Sequence, residues 1–192
     1  MRKFVVALAM ALAGMTSITA PVSAQTADGM TAEEIALLFA KQKTRGLSLA
    51  PTTPEAATPE AVAPAAITTE GTSVVYAEIP VEEQVNININ FDFDSAALRE
   101  DQKPRLVALC DAMKAAEVDV FRIVGHTDSS GSAAYNQRLS LLRAEEVKRY
   151  LAGDCGIDPA RLEAVGVGAS FPYDEANPRG DVNRRVEFQA LS

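Results

Sequence analysis

The feature that most constrains the fold is a strict alternation of apolar and polar residues in VNININFDF, residues 85–93. Every odd position is apolar and every even position is polar, which is the period of a β-strand with one face in a core. From here to residue 191, segments with strand and helix periods follow one another in the order β-α-β-α-β-β. That order predicts an α/β sandwich in which helices pack on one face of a mixed four-stranded sheet.

Two helices and three further strands complete this prediction. A helix is predicted over 101–116, and a second over 135–153 ends at a glycine. The side chains predicted to face the core are Leu106, Leu109, Cys110 and Met113 in the first helix and Leu139, Leu142, Val147 and Leu151 in the second. The strands are VDVFRIVGH (118–126), ARLEAVGVG (160–168) and RRVEFQAL (184–191), with SVVYAEI (73–79) as a further short candidate.

The first residues have the layout of a secretory signal peptide. In residues 1–24, Arg2 and Lys3 precede a short apolar run that ends in small residues, and cleavage is expected after Ala24. The alternative is a retained membrane anchor, but the run is about half of the roughly 20 apolar residues that a span needs. We therefore expect a protein of the periplasm, with attachment to the outer membrane left open.

Two segments are predicted between the signal peptide and the globular part. Residues 25–49 contain a short helix over 31–41, in which Thr31 and Glu34 have the spacing of a capping box. A helix of this length is unstable alone in water, so it docks either on its own domain or on a partner. Residues 50–72 are rich in Pro, Ala and Thr and predict an extended linker, which leaves residues 73–192 as the folded domain, with its core over 85–192.

Charge and cysteine content argue against several classes of function. A formal net charge of -8 makes nucleic acid a poor partner. Two cysteines and one histidine, none closely spaced, are not a metal ligand set, so neither a metal nor a cofactor is expected. In an oxidising compartment Cys110 and Cys155 predict one disulfide, with a buried free thiol at Cys110 as the alternative.

The segment GHTDSSGS, residues 125–132, contains the one histidine of the chain beside an acid and three serines. These residue types suggest nucleophilic catalysis, for which His126 must meet a serine and an acid in a defined geometry. The sequence shows neither a nucleophile elbow nor an evident oxyanion hole. A cell-wall hydrolase is therefore the weakest of the hypotheses, and a binding pocket is preferred.

The run FDFDSAAL, GHTDSSGSAAYNQRLSLLRAEEVKRYL and NRRVEF, spread over residues 85–192, resembles the carboxy-terminal OmpA-like domain. This family is the peptidoglycan-binding module of Gram-negative cell envelopes. The resemblance implies non-covalent binding of the peptide stem of peptidoglycan at its diaminopimelate residue. It also implies tethering of the cell envelope, with no catalysis.

The resemblance assigns a role to individual residues. Asp128 matches the family acid that meets the ammonium of the ligand, and Arg143 matches the arginine that meets its carboxylate. The supporting positions are Thr127, Asn136, Leu139 and Asp92. One arginine of the Arg184–Arg185 pair is expected on the sheet face or at the rim of the site, and the other as a solvated charge at the edge.

The residue types suit this ligand on physical grounds. The side chain of diaminopimelate ends in a zwitterion, so its receptor needs an anion and a cation a few ångströms apart, and a guanidinium grips a carboxylate through two parallel hydrogen bonds. Asp128 and Arg143 are fifteen residues apart. A continuous helix would separate them by roughly 20 Å, so SSGSAA must double back before the helix begins. A second hypothesis, compatible with the first, is an envelope scaffold whose helix over 31–41 recruits a protein partner.

Overall fold

The computed structural model describes residues 29–44, 66–68, 73–74, 76–92 and 94–191. The expected signal peptide and most of the expected linker lie outside these residues. None of the helices in the described part of the chain combines the length and the apolar character of a membrane span. The elements are α1 (Ala32–Thr44), β1 (Ala66–Thr68), β2 (Ser73–Val74), β3 (Val85–Ile87), α2 (Val107–Ala115), β4 (Val120–Gly125), α3 (Ala133–Gly153), β5 (Leu162–Gly166) and β6 (Val186–Leu191).

The described strands form one mixed sheet in the order β2-β1-β5-β4-β6-β3. Strands β4 and β5 are parallel, and the other neighbouring pairs are antiparallel. Buried apolar side chains of all three helices belong to a single core cluster with β3, β4, β5 and β6. The predicted α/β sandwich, with helices on one face of a mixed sheet, is confirmed.

The number of strands was predicted wrongly, because β1 lies inside the segment expected to be a linker. Ile67 pairs with Gly166 and Thr68 pairs with Val165, so β1 extends the sheet beyond β5. Ala66 is fully buried against Val165 and its neighbours on the second face. Averaged over 50–72, the composition is that of an extended chain. Three residues with two β-branched side chains are enough to pair when an open sheet edge is next to them.

The helix predicted over 101–116 is divided into two parts. Glu100–Leu106 form a 3₁₀-helix that contains Pro104, and the α-helix begins only at Val107. Proline has no N–H to donate within an α-helix and disfavours the α conformation of the residue before it. The predicted stripe of Leu106, Leu109, Cys110 and Met113 is nevertheless buried.

Strand β3 is shorter than the alternation predicted, because its pairing with β6 ends where Ile87 meets Val186, the first residue of β6. Without a partner the chain leaves the sheet after Ile87. Asn86, on the polar side of the alternation, is also buried and only 2% exposed. Its amide donates to Gln84 and its oxygen accepts from Arg185.

Helix α3 packs unusually closely on the sheet. A Cβ at Gly125 in β4 would overlap the Ser140 carbonyl, and one at Gly166 in β5 would lie 2.6 Å from the backbone nitrogen of Leu141. The contact turns α3 so that Arg143 and Val147 are buried while Leu142 is 45% exposed and Leu139 is half-buried. The inward orientation predicted for Leu142 is therefore wrong. The period of the sequence predicted which face of α3 is buried. Close backbone contact with the sheet buries a neighbouring face of the helix instead.

Helix α1 docks on its own domain. The capping box is present, because the Thr31 N–H donates to Glu34 at 2.7 Å and the Glu34 N–H donates to the Thr31 hydroxyl at 3.3 Å. Ile35 and Phe39 are fully buried in the core. Gln42, also fully buried, accepts from the Ala190 N–H and donates to the Glu83 carbonyl, both at 2.7 Å. Its amide thereby continues the hydrogen bonding of the β3–β6 ladder beyond Val85.

A disulfide joins Cys110 in α2 to Cys155, just after α3, across 45 positions of sequence. Closing a loop of this length removes conformational entropy from the unfolded chain, which corresponds to roughly 4 kcal/mol of stability. The bond links the carboxyl end of α3 to α2.

Candidate functional site

The candidate site lies at one end of the sheet, where β4 ends and β6 begins. The segment after β4 carries Asp128, and the helix that follows carries Arg143. Arg184 and Arg185 lie directly before β6. Backbone hydrogen bonds hold these segments together. The His126 N–H donates to the Arg185 carbonyl at 3.0 Å, and the Thr127 N–H donates to the Gly168 carbonyl at 2.9 Å.

The Asp128 carboxylate is held on both of its oxygens. Oδ1 accepts from the Ser130 N–H at 2.7 Å, and Oδ2 accepts from Arg184 Nη1 at 2.9 Å. Burial acts to raise the pKa of Asp128, but the hydrogen bonds from Ser130 and Arg184 outweigh it and hold that pKa below its ordinary value. The group is therefore an anion at neutral pH. A carboxylate has about four acceptor positions, so these two bonds leave capacity for another cation.

The chain doubles back between Asp128 and α3. Gly131 adopts a φ of +88°, and Ser132 caps the helix by accepting from the Tyr135 N–H. One turn into α3, Asn136 donates from Nδ2 to the carbonyls of Asp128 and Ser130, at 3.2 and 2.9 Å. Asn136 and Arg143 are two helical turns apart on the same face, roughly 10 Å along the axis, and a long helical side chain leans back toward the amino end.

Arg143 is a desolvated cation. The residue is 8% exposed, its Nε donates to the Ser95 carbonyl at 3.2 Å, and its guanidinium lies over the Phe91 ring at 4.7 Å. Desolvation lowers the pKa of Arg143, the charge of Arg184 acts in the same direction, and the charge of Asp128 opposes it. Among the described residues, no hydrogen-bond partner is found for Nη1 or Nη2 of Arg143.

The other predicted site residues have different environments. Asn136 is buried and holds the loop, while Leu139 is half-buried on the face of α3 between Asn136 and Arg143. The hydroxyl of Thr127 is buried, and within the described residues it has no hydrogen-bond partner. Asp92 is exposed and pairs with Arg99 at 3.1 Å, so no described contact brings it to Asp128 or Arg143.

Arg184 is the residue of the Arg184–Arg185 pair that contacts Asp128. Besides Asp128 it binds Asp181 at 2.6 Å, and the hydrogen bond to Asp128 is the main cause that raises the pKa of Arg184. Its neighbour Arg185 is 5% exposed on the sheet face, as expected of one arginine of the pair, whereas the other, Arg184, has a side chain that is 39% exposed and pairs with two acids. The signal in the sequence was the pair of adjacent arginines in NRRVEF. The sequence alone could not show which of the two side chains faces the site and which lies on the sheet face.

His126 lies in a buried polar cluster behind the site. Its Nε2 is 3.2 Å from Glu187 Oε2, and its ring meets the Tyr76 ring edge-on at 6.0 Å. Both His126 and Glu187 have side chains that are 0% exposed. An imidazole buried in this way does not reach a substrate, which disfavours the hydrolase hypothesis.

Comparison of the sequence with known proteins places the chain in a defined family. Residues 90–185, half of the chain, match the OmpA family. The chain belongs to the OmpA family. It is 38% identical over 108 residues to outer membrane porin F of Pseudomonas aeruginosa, a match that covers 55% of this chain and 31% of the porin.

Other proteins that are similar to this chain are named as lipoproteins. The peptidoglycan-associated lipoprotein of P. aeruginosa is 40% identical over 67 residues, which cover 34% of this chain and 39% of that protein. The crystal structure of the peptidoglycan-associated lipoprotein from Burkholderia pseudomallei aligns with 32% identity and a TM-score of 0.45, covering 53% of this chain and 86% of that one. The chain thus spans about a third of porin F and two fifths of the P. aeruginosa lipoprotein.

Proposed function

We propose that this OmpA-family protein binds peptidoglycan without covalent attachment, through the diaminopimelate residue of the peptide stem, and so anchors the cell envelope. The P. aeruginosa relative is named as a peptidoglycan-associated lipoprotein, and this name supports peptidoglycan as the ligand. Export through residues 1–24 to the periplasm is part of the same proposal, because peptidoglycan is found there.

The observation that carries the proposal is the environment of Arg143. An arginine that is 8% exposed, and whose guanidinium pairs with no carboxylate in the described part of the chain, is costly to maintain for stability alone. An incoming carboxylate can take both Nη nitrogens in a bidentate pair. Asp128, an anion on the same side of the domain, then receives the ammonium of the same zwitterion.

The test compares two conservative variants with matched controls. Purified protein is sedimented with insoluble peptidoglycan, using Asp128→Asn and Arg143→Lys in the site. The controls are Asp111→Asn, an exposed acid on α2, and Arg149→Lys, an exposed arginine on α3 whose side chain is 70% exposed. Losing one partner of a desolvated charge pair costs about 2–5 kcal/mol, or roughly 30-fold or more in affinity.

We expect both site variants to stay in the supernatant, both controls to sediment like the wild type, and all four to unfold as cooperatively as the wild type. If the two site variants sedimented normally, the assignment of the site would be wrong. Failure of the wild type to sediment would contradict the function itself.

The scaffold hypothesis has less support. In that hypothesis the helix over 31–41 recruits a partner, but its apolar side chains Ile35 and Phe39 already fill the core of their own domain. Recruitment through that face would first require undocking of α1.

A further inference from the structure

Two contacts from the segment after β3 fix Arg143 in place. The guanidinium carbon Cζ of Arg143 lies over the Phe91 ring, 4.7 Å from the ring centroid, and the Ser95 carbonyl accepts the Nε hydrogen at 3.2 Å. An aromatic ring attracts a cation that lies over its face, and a hydrogen bond to Nε holds the guanidinium at its inner edge. Together they direct Nη1 and Nη2, the two donors of a bidentate pair, toward one place.

A third contact holds this segment against α3. Tyr135, in the first turn of the helix, donates its hydroxyl to Asp94 Oδ1 at 2.7 Å. Asp94 adopts a left-handed φ of +52°, which aspartate tolerates better than most residues. The bend at Asp94 brings Ser95 back to Arg143, and the bond to Tyr135 attaches the bend to the helix that carries Arg143.

We propose that Phe91 is a positioning residue that makes the site selective for a carboxylate beside the ammonium, and that the Asp94–Tyr135 bond supports it. This inference rests on the proposed function and states which residue recognises which charged group of the ligand. Asp128 recognises the ammonium, which diaminopimelate and lysine both carry at the end of the side chain. Arg143, held by Phe91, recognises the carboxylate that lysine lacks.

The consequence is a defined pattern of specificity. Replacing Phe91 by leucine keeps an apolar contact but removes the aromatic face, so the guanidinium loses the cation–π contact that holds it in position. A desolvated cation–π contact corresponds to about a tenfold change in a binding constant. That loss falls on diaminopimelate and leaves binding of lysine nearly unchanged, whereas general loosening of the domain would weaken both.

The experiment measures calorimetric affinities for two synthetic tripeptide stems, one ending in meso-diaminopimelate and one ending in lysine. The proteins are the wild type, Phe91→Leu, Phe91→Tyr and Tyr135→Phe. The matched control is Tyr173→Leu, which removes a similar aromatic ring from Arg185 at 5.3 Å. We expect the wild type to prefer diaminopimelate, Phe91→Leu to lose about tenfold of that preference, and Phe91→Tyr and Tyr173→Leu to retain it.

Tyr135→Phe keeps the ring of a residue that is 43% exposed and removes only the bond to Asp94, so it tests the same inference if Phe91→Leu does not fold. It should lose a few-fold of the preference. Retention of the full preference in Phe91→Leu, or in Tyr135→Phe if the leucine variant is unfolded, would overturn the inference and leave the proposed function standing. A wild type that bound both peptides equally would overturn this inference alone, and one that bound neither peptide would overturn the proposed function as well.

Discussion

The two faces of the sheet are made of different kinds of side chain. Along β6, Val186, Phe188 and Ala190 enter the apolar core beneath the helices, while Glu187 and Gln189 lie on the second face and are also fully buried. A strand sends alternate side chains to opposite faces, so one segment serves two environments. The second face is closed by residues 76–84 and Phe171 rather than by an α-helix.

The difference indicates a division of tasks. Apolar contacts are not directional, so the helix face mainly contributes stability. Hydrogen bonds and ion pairs are directional, so the cluster of Tyr76, His126, Arg185 and Glu187 fixes the alignment of β4 with β6. Asp128 follows one strand of this pair and Arg184 precedes the other, so we expect the polar face to act on the site and the helix face on stability alone.

The largest effect is expected on the helix face. Phe121 is fully buried and packs on Phe39, with ring centroids 5.0 Å apart. Phe121→Ala should lower the free energy of unfolding by about 3–5 kcal/mol, because it removes apolar contacts and leaves a cavity. Urea denaturation measures this, with Leu37→Ala, at a position that is 65% exposed, as a control near zero. Protein that remains folded should bind peptidoglycan normally, and weaker binding would contradict the division of tasks.

A smaller loss of stability, accompanied by a loss of binding, is expected on the polar face. Glu187 accepts from Tyr76 and from Gln189, each at 2.8 Å, and faces Arg185 at 3.8 Å. Glu187→Gln should cost about 2–3 kcal/mol, because charged hydrogen bonds become neutral ones and Arg185 loses its anion. It should also weaken sedimentation with peptidoglycan.

The matched control for Glu187→Gln is Glu163→Gln. Glu163 pairs with Arg122 at 2.7 Å, and its side chain is 24% exposed, so about 1 kcal/mol is expected. Its binding should be unchanged. If both variants weakened binding equally, the effect would not be specific to the cluster behind the site.

The smallest effect is a dependence of stability on pH, which also belongs to the polar face. Burial and the charge of Arg185 lower the pKa of His126 from its ordinary value of 6.5. The folded protein therefore binds fewer protons than the unfolded chain below that pH, and stability should fall as the pH drops below about 6.5. Burial opposes ionisation of Glu187, but His126 and Arg185 outweigh it and lower its pKa from 4.5, so a second loss should begin below that value.

Urea titrations between pH 8 and pH 4 measure this dependence. In His126→Asn, which does not titrate, the decline that begins near pH 6.5 should disappear. A wild-type stability that stayed constant down to pH 5 would show that the imidazole is not the titrating group.

Local sequence patterns predicted the parts of the fold that depend on neighbouring residues. The Thr31–Glu34 capping box and the burial of Ile87 follow from spacing within a few positions, and the structure has both. The orientation of Leu142 was not predictable, because it depends on how closely α3 approaches Gly125 and Gly166. The candidate site was predictable in part, since residue type and motif pointed to Asp128 and Arg143, and both remain proposed ligand contacts.

The sequence by itself therefore determined the order of strands and helices, the amino end of α1 and the two charges proposed to meet the ligand. The tertiary structure decided which groups those charges meet. Asp128 pairs with Arg184 across 56 positions, and Gln42 closes the end of a strand ladder with Ala190 across 148 positions. Periodicity and capping act between residues a few positions apart, so they can be recognised in the amino-acid sequence. An ion pair or an inserted amide depends on the packing of distant elements, and only the folded chain brings its two partners together.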